Sequence, residues 1–285
     1  MPNKNIRPVG IETSIYRHFL LCAGPGFGKT VFFGTGDEKV LFLTTDKEGT
    51  LSAAMMGSLA QEWPINVGSD LNEAYIYLRD GGIAELGLDD GGWVVIDNVS
   101  EAEEIFKWDN IAREHAAKPQ TMDEFVPSQG NYQRTQNQLL KMVKQFLDLK
   151  VNIGLTAWIE TSEDNEGNEY YAPAIHGQKG GIAQMIAGYM NIVGYGEVLE
   201  DADGTEHRRI HFSKSGPHRG KDRYIALGKY RTDMTLPKMD AIINKKLEER
   251  RAAAKTAPKT PARTARTVTK APTAPRRRVA TGKKA

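Results

Sequence analysis

The chain has 285 residues, of which 40% are hydrophobic, and a formal net charge of +2 at pH 7. No apolar run approaches the roughly 20 residues that span a bilayer, and the N-terminus carries no apolar signal segment, so the sequence argues against a membrane or secreted protein. The single cysteine, Cys22, excludes an internal disulfide and a cysteine-based metal cluster and is typical of a reducing cytoplasm.

The charge is distributed unevenly along the chain. Residues 250–285 hold twelve of the 38 basic residues and no acidic residue, so residues 1–249 carry 26 basic against 36 acidic side chains. From 253 onward the sequence is almost entirely Ala, Lys, Thr, Pro and Arg, a composition that cannot bury a core. We therefore expect an acidic body followed by a disordered basic tail.

A phosphate-binding loop follows the first predicted strand. The apolar run Phe19–Cys22 leads into a Gly-rich turn that ends in Gly-Lys-Thr, with Ala23 in the place of the first glycine of the P-loop pattern. In such loops backbone N–H groups cradle phosphate oxygens at the start of a helix, the lysine reaches the β- and γ-phosphates, and the threonine hydroxyl ligates Mg²⁺. The motif predicts a nucleoside triphosphate bound by Gly24, Pro25, Gly26, Phe27, Gly28, Lys29 and Thr30.

The elements that follow alternate between buried strands and helices. Strands are predicted at 39–45, 91–97 and 151–158. Helices are predicted at 69–79 and at 100–116, the second with Ser100 as its N-cap. The segment 118–131 is a polar stretch, and a third helix is predicted after it. A hairpin tip is expected at 162–168, extended segments at 190–199, 207–213 and 223–227, and a last helix at 237–252. This order predicts an α/β fold with a mostly parallel central sheet and a late antiparallel extension.

Two acidic residues stand where ligands bind in such sheets, at the carboxyl ends of strands. Asp97 ends a run of apolar residues and suits a carboxylate that holds Mg²⁺ together with Thr30. Glu48 follows the strand after the P-loop and suits a general base that orients water toward the γ-phosphate. The alternatives are Asp46 as the base, or Glu48 as an acid that only interacts with a helix dipole.

The order of these motifs resembles the RecA-like ATPase core. More narrowly, Gly24–Thr30, Ala172–Gly177 and Lys221–Tyr224 resemble segments of the phage RecA-like ATPases that act in single-strand annealing and recombination, the "Sak-four" group. The resemblance spans about residues 10–230. With the composition of the rest of the chain, it predicts a core over 1–235, a C-terminal helix over 236–252 and a tail over 253–285.

Carried over by position, the resemblance implies ATP and Mg²⁺ as ligands, Glu48 as the catalytic glutamate and Asp97 as the Walker B acid. It places a polar γ-phosphate sensor at the strand end near Thr156, where Trp158 departs from the Gln or His of RecA-like proteins. Lys221 and Arg223 are similar to the Lys-x-Arg pair that such ATPases insert into a neighbour's active site, where a cation neutralises transition-state charge. The alternative for this pair is two ordinary cations on a solvated strand.

RecA-like proteins bind DNA through two loops, which correspond here to about 117–131 and 160–181. The second contains the candidate DNA contacts Tyr170, Tyr171, Gln178 and Lys179, because aromatic rings stack on bases and a lysine contacts phosphate. The tyrosines are equally compatible with an ordinary hairpin strand. The basic tail could bind DNA, an acidic partner such as a single-strand-binding protein, or nothing specific.

The sequence therefore predicts a cytoplasmic, DNA-dependent ATPase, in the host cytoplasm if phage-encoded. It would form a homo-oligomeric filament or ring on single-stranded DNA and promote annealing or strand exchange, with ATP hydrolysed at subunit interfaces. The alternatives are a hexameric helicase-like motor and an ATP-switched loader that acts through a protein partner.

Overall fold

A computed structural model describes residues 16–164, 166–177 and 181–256. The strands in these residues are β1 His18–Ala23, β2 Val40–Thr44, β3 Gln61–Pro64, β4 Trp93–Asp97, β5 Asn152–Ala157, β6 Ile159–Glu163, β7 Glu169–Pro173, β8 Ile192–Glu200, β9 Glu206–His211, β10 Lys214–Ser215, β11 His218–Arg219, β12 Lys221–Asp222 and β13 Tyr230–Thr232. The α-helices are α1 Lys29–Gly34, α2 Leu51–Met55, α3 Gly68–Tyr77, α4 Ile83–Glu85, α5 Val99–Ala117, α6 Gln129–Leu147, α7 Gly181–Tyr189 and α8 Leu236–Thr256.

The central sheet has a parallel part and an antiparallel part. Its parallel strands lie in the order β8-β1-β5-β4-β2-β3, and β9, β12 and β13 join antiparallel on the β8 side. The carboxyl ends of β1, β2, β4 and β5, at Ala23, Thr44, Asp97 and Ala157, therefore meet along one edge. The predicted α/β fold with a late antiparallel extension is confirmed.

Both faces of the sheet are covered by helices. Along β1, Leu20 and Cys22 join a core layer with α3, α5, α6 and α7, whereas Phe19 and Leu21 join a second layer with α1 and α8. This division follows from the alternation of side chains across a strand. Each face of a central strand is apolar, as expected for a parallel sheet buried on both sides.

Helix α8 belongs to the second core layer. Met239 and Ile243 are fully buried in it, and Asp240 accepts hydrogen bonds from Trp93 Nε1 at 3.0 Å and from Arg17 at 2.6 Å. The helix runs to Thr256, four residues beyond the predicted end at 252. The rest of the predicted tail, 257–285, and residues 1–15 lie outside the described residues.

Two local predictions were wrong. Helix α5 is capped by Asn98, whose side chain accepts from the N–H of Glu101 at 2.8 Å, and Ser100 lies inside the first turn. The segment 223–227, predicted to be extended, is a turn. It turns because the carboxylate of Asp222 accepts three backbone N–H groups within hydrogen-bond distance, those of Tyr224, Ala226 and Leu227.

No helix within the residues that the structure describes is both long enough and apolar enough to cross a bilayer.

Candidate nucleotide site

The P-loop connects β1 to α1 at the carboxyl edge of the sheet. Gly26 and Gly28 have φ of 79° and 91°, in the left-handed region that favours glycine. Ala23 is different, because it is the last residue of β1 and pairs with Gly196 of β8 in extended backbone. The position of the first motif glycine therefore tolerates a side chain here.

Gly196 of β8 and Arg208 of β9 hold the loop. The Phe27 ring is buried against Gly196, where a Cβ atom would lie 2.6 Å from the ring. Arg208 of β9 donates from Nε to the carbonyl of Phe27 at 2.8 Å. The sequence analysis did not assign Arg208 to this site, because only the pairing of β9 with β8 brings it to the loop.

Lys29 is folded over the first half of the loop. Its Nζ donates to the carbonyls of Ala23 and Gly24 at 3.0 and 3.1 Å. Burial lowers the pKa of Lys29, while the nearby Asp97 carboxylate acts in the opposite direction. The ammonium group thus already lies within the loop that would hold the phosphates.

Asp97, at the end of β4, links β5 to helix α1 at this edge. Its carboxylate accepts hydrogen bonds from the hydroxyls of Thr30 and Thr156, each at 2.5 Å. Burial raises the pKa of Asp97, and the two hydroxyls and Lys29 counteract that rise. A carboxylate beside a threonine hydroxyl is a hard-oxygen donor pair that fits Mg²⁺. The structure therefore brings together the residues predicted to hold the metal, and it places the sensor-position Thr156 in contact with the same carboxylate.

Glu48 lies in the exposed loop between β2 and α2. Its N–H donates to Asp46 Oδ1 at 3.3 Å, and among the described residues its carboxylate has no hydrogen-bond or ion-pair partner. The loop is tied to the Walker B strand by Thr45, whose N–H donates to the carbonyl of Asp97 at 2.9 Å. The loop of Glu48 thus begins beside Asp97, while the Glu48 side chain is exposed.

Glu101 is a further acid near this edge that the sequence analysis did not select. It is half-buried in the first turn of α5, and burial raises the pKa of its carboxyl group, with Glu104 and Asp46 adding to the rise. Asp46 also adds to the raised pKa of Asp97. The signal in the sequence was its position four residues beyond Asp97 at a helix start.

Lys221 and Arg223 are not brought to the P-loop of their own chain. Both donate to the carbonyl of Gly188 at the end of α7, Lys221 at 2.9 Å and Arg223 at 2.8 Å. Lys221 pairs with Val193, whereas the P-loop end of β1 pairs with Gly196 farther along β8. The two cations thus contact the same carbonyl, and no described contact joins either of them to the P-loop of its own chain.

The candidate DNA contacts lie on and after the β6–β7 hairpin. Tyr170 and Tyr171 are half-buried in β7, where Arg219 lies 4.9 Å from the Tyr170 ring centre and His218 lies 5.2 Å from that of Tyr171. Gln178 and Lys179 lie outside the described residues.

Comparison with known proteins assigns the chain to a family. Residues 16–224 match the family AAA_24, described as an AAA domain. No curated protein gives a significant match. The solved structures that match include a KaiC-like protein from the hyperthermophilic archaeon Pyrococcus horikoshii OT3, with 15% identity and a TM-score of 0.37 over 72% of this chain and 83% of that chain.

Two other matching structures are more distant in sequence. The flagellar accessory protein FlaH from Methanocaldococcus jannaschii has 10% identity and a TM-score of 0.34 over 72% of this chain and 82% of that one. A type III secretion system ATPase of pathogenic bacteria has 12% identity and a TM-score of 0.38 over 66% of this chain and 52% of that one. With the family match spanning most of the sequence, the chain belongs to the AAA_24 family of AAA domains, with the fold of a RecA-like P-loop ATPase.

Proposed function

We propose that the protein is a DNA-dependent ATPase that binds single-stranded DNA and promotes annealing or strand exchange. The observation that carries the proposal is the short path from the nucleotide site to the hairpin. Strand β5 holds Thr156 on the Asp97 carboxylate and ends at Ala157, and β6 begins at Ile159. A shift of the carboxylate on hydrolysis would therefore pass through one buried strand to a hairpin that carries aromatic side chains.

Hydrolysis would use the groups at the carboxyl edge of the sheet. Lys29 would neutralise the phosphates, and Thr30 and Asp97 would hold Mg²⁺. Glu48 would accept a proton from the water that attacks the γ-phosphorus, with ADP as the leaving group. The position of Lys221 and Arg223 at the carbonyl of Gly188, and not at their own P-loop, supports their action at a neighbouring copy.

An exposed apolar surface beside Glu48 supports assembly into a homo-oligomer. Leu51, Met55, Met56 and Leu59 lie in and after α2 and are 55%, 77%, 75% and 63% exposed. Clusters of exposed apolar side chains are typical of protein interfaces. A second copy that covered this surface would bring its own groups close to the Glu48 loop.

The test is steady-state ATP hydrolysis with and without single-stranded DNA. Hydrolysis should rise with DNA, and Lys29→Ala should abolish it at both conditions. Lys179→Ala should weaken DNA binding and stimulation, whereas Lys150→Ala, a change to an exposed lysine next to the opposite end of β5, is the matched control and should leave both unchanged.

Each alternative has its own outcome in this assay. A rate of ATP hydrolysis that does not change when single-stranded DNA is added would contradict the proposal. It would favour a loader that acts through a protein partner. Directional unwinding of a forked duplex would favour the helicase-like motor. Turnover retained in Lys29→Ala would contradict the role of the P-loop itself.

A further inference from the structure

Two histidines and a glutamate meet on the antiparallel side of the sheet, outside the nucleotide site. They are Glu197 of β8, His211 of β9 and His218 of β11, and their ligand atoms all lie within 4.8 Å of one another. His211 Nε2 lies 2.7 Å from one oxygen of Glu197, and His218 Nε2 lies 3.8 Å from the other. The two imidazole rings are stacked, with centres 3.9 Å apart and planes 7° from parallel.

The hydrogen bonds of His218 fix which of its nitrogens has a free lone pair. Its Nδ1 lies 3.0 Å from the carbonyl of Ser215, which can only accept, so Nδ1 carries the proton. The lone pair of the neutral ring is then on Nε2 and points toward a carboxylate oxygen of Glu197. A lone pair that faces a carboxylate is repelled by it unless a cation lies between them.

His211 directs its one polar contact to the same place. Its Nε2 contacts Glu197, whereas its Nδ1 is buried with no hydrogen-bond partner among the described residues. Both histidines are buried, and Glu197 is half-buried. The ligand atoms of two histidines and one glutamate thus face one small volume, whereas the packing of two histidine rings does not by itself require a carboxylate between their nitrogens.

The surroundings of the cluster are mainly aromatic. The ring centre of Tyr171 lies 5.2 Å and that of Tyr195 6.5 Å from His218, and that of Tyr230 lies 5.9 Å from His211. Among the described residues, the one charged neighbour within ion-pair distance of the three is Arg209, whose Nη1 lies 3.6 Å from the Glu197 oxygen that faces His211. The Glu197 oxygen that faces His218 has no arginine at such a distance among the described ion pairs.

We propose that Glu197, His211 and His218 form a binding site for a divalent transition cation of the zinc type. Imidazole nitrogens with one carboxylate oxygen suit Zn²⁺, whereas Mg²⁺ prefers oxygen ligands alone. Donors around a tetrahedral Zn²⁺ lie about 3.3 Å apart, as follows from metal–ligand bonds of about 2.0 Å. The 3.8 Å and 2.7 Å separations bracket this value, and the stacked rings would have to rotate for both Nε2 atoms to face one cation.

The bond from His218 Nδ1 to the Ser215 carbonyl is the outer contact that orients a metal-binding histidine. A bound cation would tie the short β10–β11 hairpin to β8 and β9. The β6–β7 hairpin packs on that same unit, through the N–H of Tyr171 on the Pro217 carbonyl at 2.9 Å and through the ion pair of Arg219 with Asp164 at 3.2 Å. The cation would thus stabilise the unit of β8, β9, β10 and β11 on which the β6–β7 hairpin packs.

The experiment is metal binding by the full, untagged chain after treatment with a chelator. Zn²⁺ is titrated in competition with a chromophoric chelator, with excess Mg²⁺ present to occupy the nucleotide site. Co²⁺ is titrated in parallel, because a tetrahedral site with nitrogen ligands gives characteristic visible bands. The variants are His218→Gln and Glu197→Gln, and the matched control is His115→Gln, whose ring contacts only the Met122 carbonyl at 2.8 Å among the described contacts.

We expect one equivalent of Zn²⁺ to bind the unchanged chain and His115→Gln alike, and to raise the thermal midpoint of both. Affinity should fall more than about 100-fold in His218→Gln, beyond the loss that follows removal of an outer partner. Glu197→Gln, at the half-buried position, gives the same test if His218→Gln fails to fold. No uptake of one equivalent, or equal uptake by the unchanged chain and a folded ligand variant, would overturn the proposal.

Discussion

Replacement of Thr156 by valine tests whether the buried Asp97 carboxylate depends on its hydroxyl partners. The change keeps the shape of the side chain in β5 and removes the donor that lies 2.5 Å from Asp97 Oδ1. A hydrogen bond to a charged group contributes about 1.5–3 kcal/mol, and a neutral one about 0.5–1.5 kcal/mol. Thr135→Val is the matched control, because the buried Thr135 hydroxyl accepts from the neutral amide of Asn110 at 3.1 Å.

The two variants should also differ in how their stability depends on pH. Burial raises the pKa of Asp97 in the native state above its value in the unfolded chain. The native carboxyl group therefore stays protonated to higher pH, and the protein loses stability as pH rises from the unfolded-state pKa to the native-state pKa. Without the Thr156 hydroxyl the native pKa rises further, and the loss continues to higher pH. The deficit of Thr156→Val relative to the unchanged chain should therefore grow with pH, whereas that of Thr135→Val should stay constant.

The assay is urea unfolding of the three proteins at about pH 5 and about pH 8, within the range where native proteins are commonly most stable. A deficit for Thr156→Val that is larger than the control's and larger at the higher pH is the expected result. Equal deficits for the two variants, or a deficit that shrinks as pH rises, would refute the account of Asp97 given above.

Three further predictions concern the nucleotide site. Glu48→Gln should still bind ATP but hydrolyse it about 100-fold more slowly or worse, measured by single-turnover hydrolysis beside ATP titration, because a general base contributes that much. Gly28→Ala should weaken nucleotide binding in calorimetry, because a φ of 91° costs a residue with a Cβ about 1–3 kcal/mol. Lys29→Ala and Arg223→Ala, each inactive alone, should regain hydrolysis when mixed, because one copy supplies the P-loop and the other the cation.

Each of these predictions has a control and a contradicting outcome. Asp46→Asn should leave most hydrolysis intact, and a larger loss there than in Glu48→Gln would make Asp46 the base. Gly24→Ala should bind nucleotide normally, since no atom lies within 4 Å of its added Cβ and its φ is not in the left-handed range. A mixture that stays inactive while it forms oligomers would exclude a shared active site.

The P-loop and Asp97 could be predicted from the sequence because each depends on a short local pattern. The glycines at 26 and 28 have the backbone that the motif requires, and Asp97 ends a buried strand. Glu48 remains a prediction, since its side chain lies in an exposed loop whose distance to a phosphate the sequence does not determine.

Other features depend on contacts between distant segments. Arg208 reaches the P-loop only because β9 pairs with β8, which pairs with β1. The N-cap of α5 is Asn98 instead of Ser100, and both residue types suit that position, so residue type alone could not distinguish them. The turn at 223–227 depends on hydrogen bonds to the side chain of Asp222, and the pattern of hydrophobic residues does not predict such bonds.

The contact of Phe27 with Gly196 has a consequence for how this sequence can vary. A Cβ atom at 196 would lie within 2.7 Å of the aromatic ring, so a larger residue there requires a smaller one at 27. The two positions should therefore covary among related sequences, although 169 residues separate them in this chain. Related sequences with an aromatic residue at position 27 should keep glycine at position 196. Such covariation would show that β8 supports the phosphate-binding loop in those proteins as well.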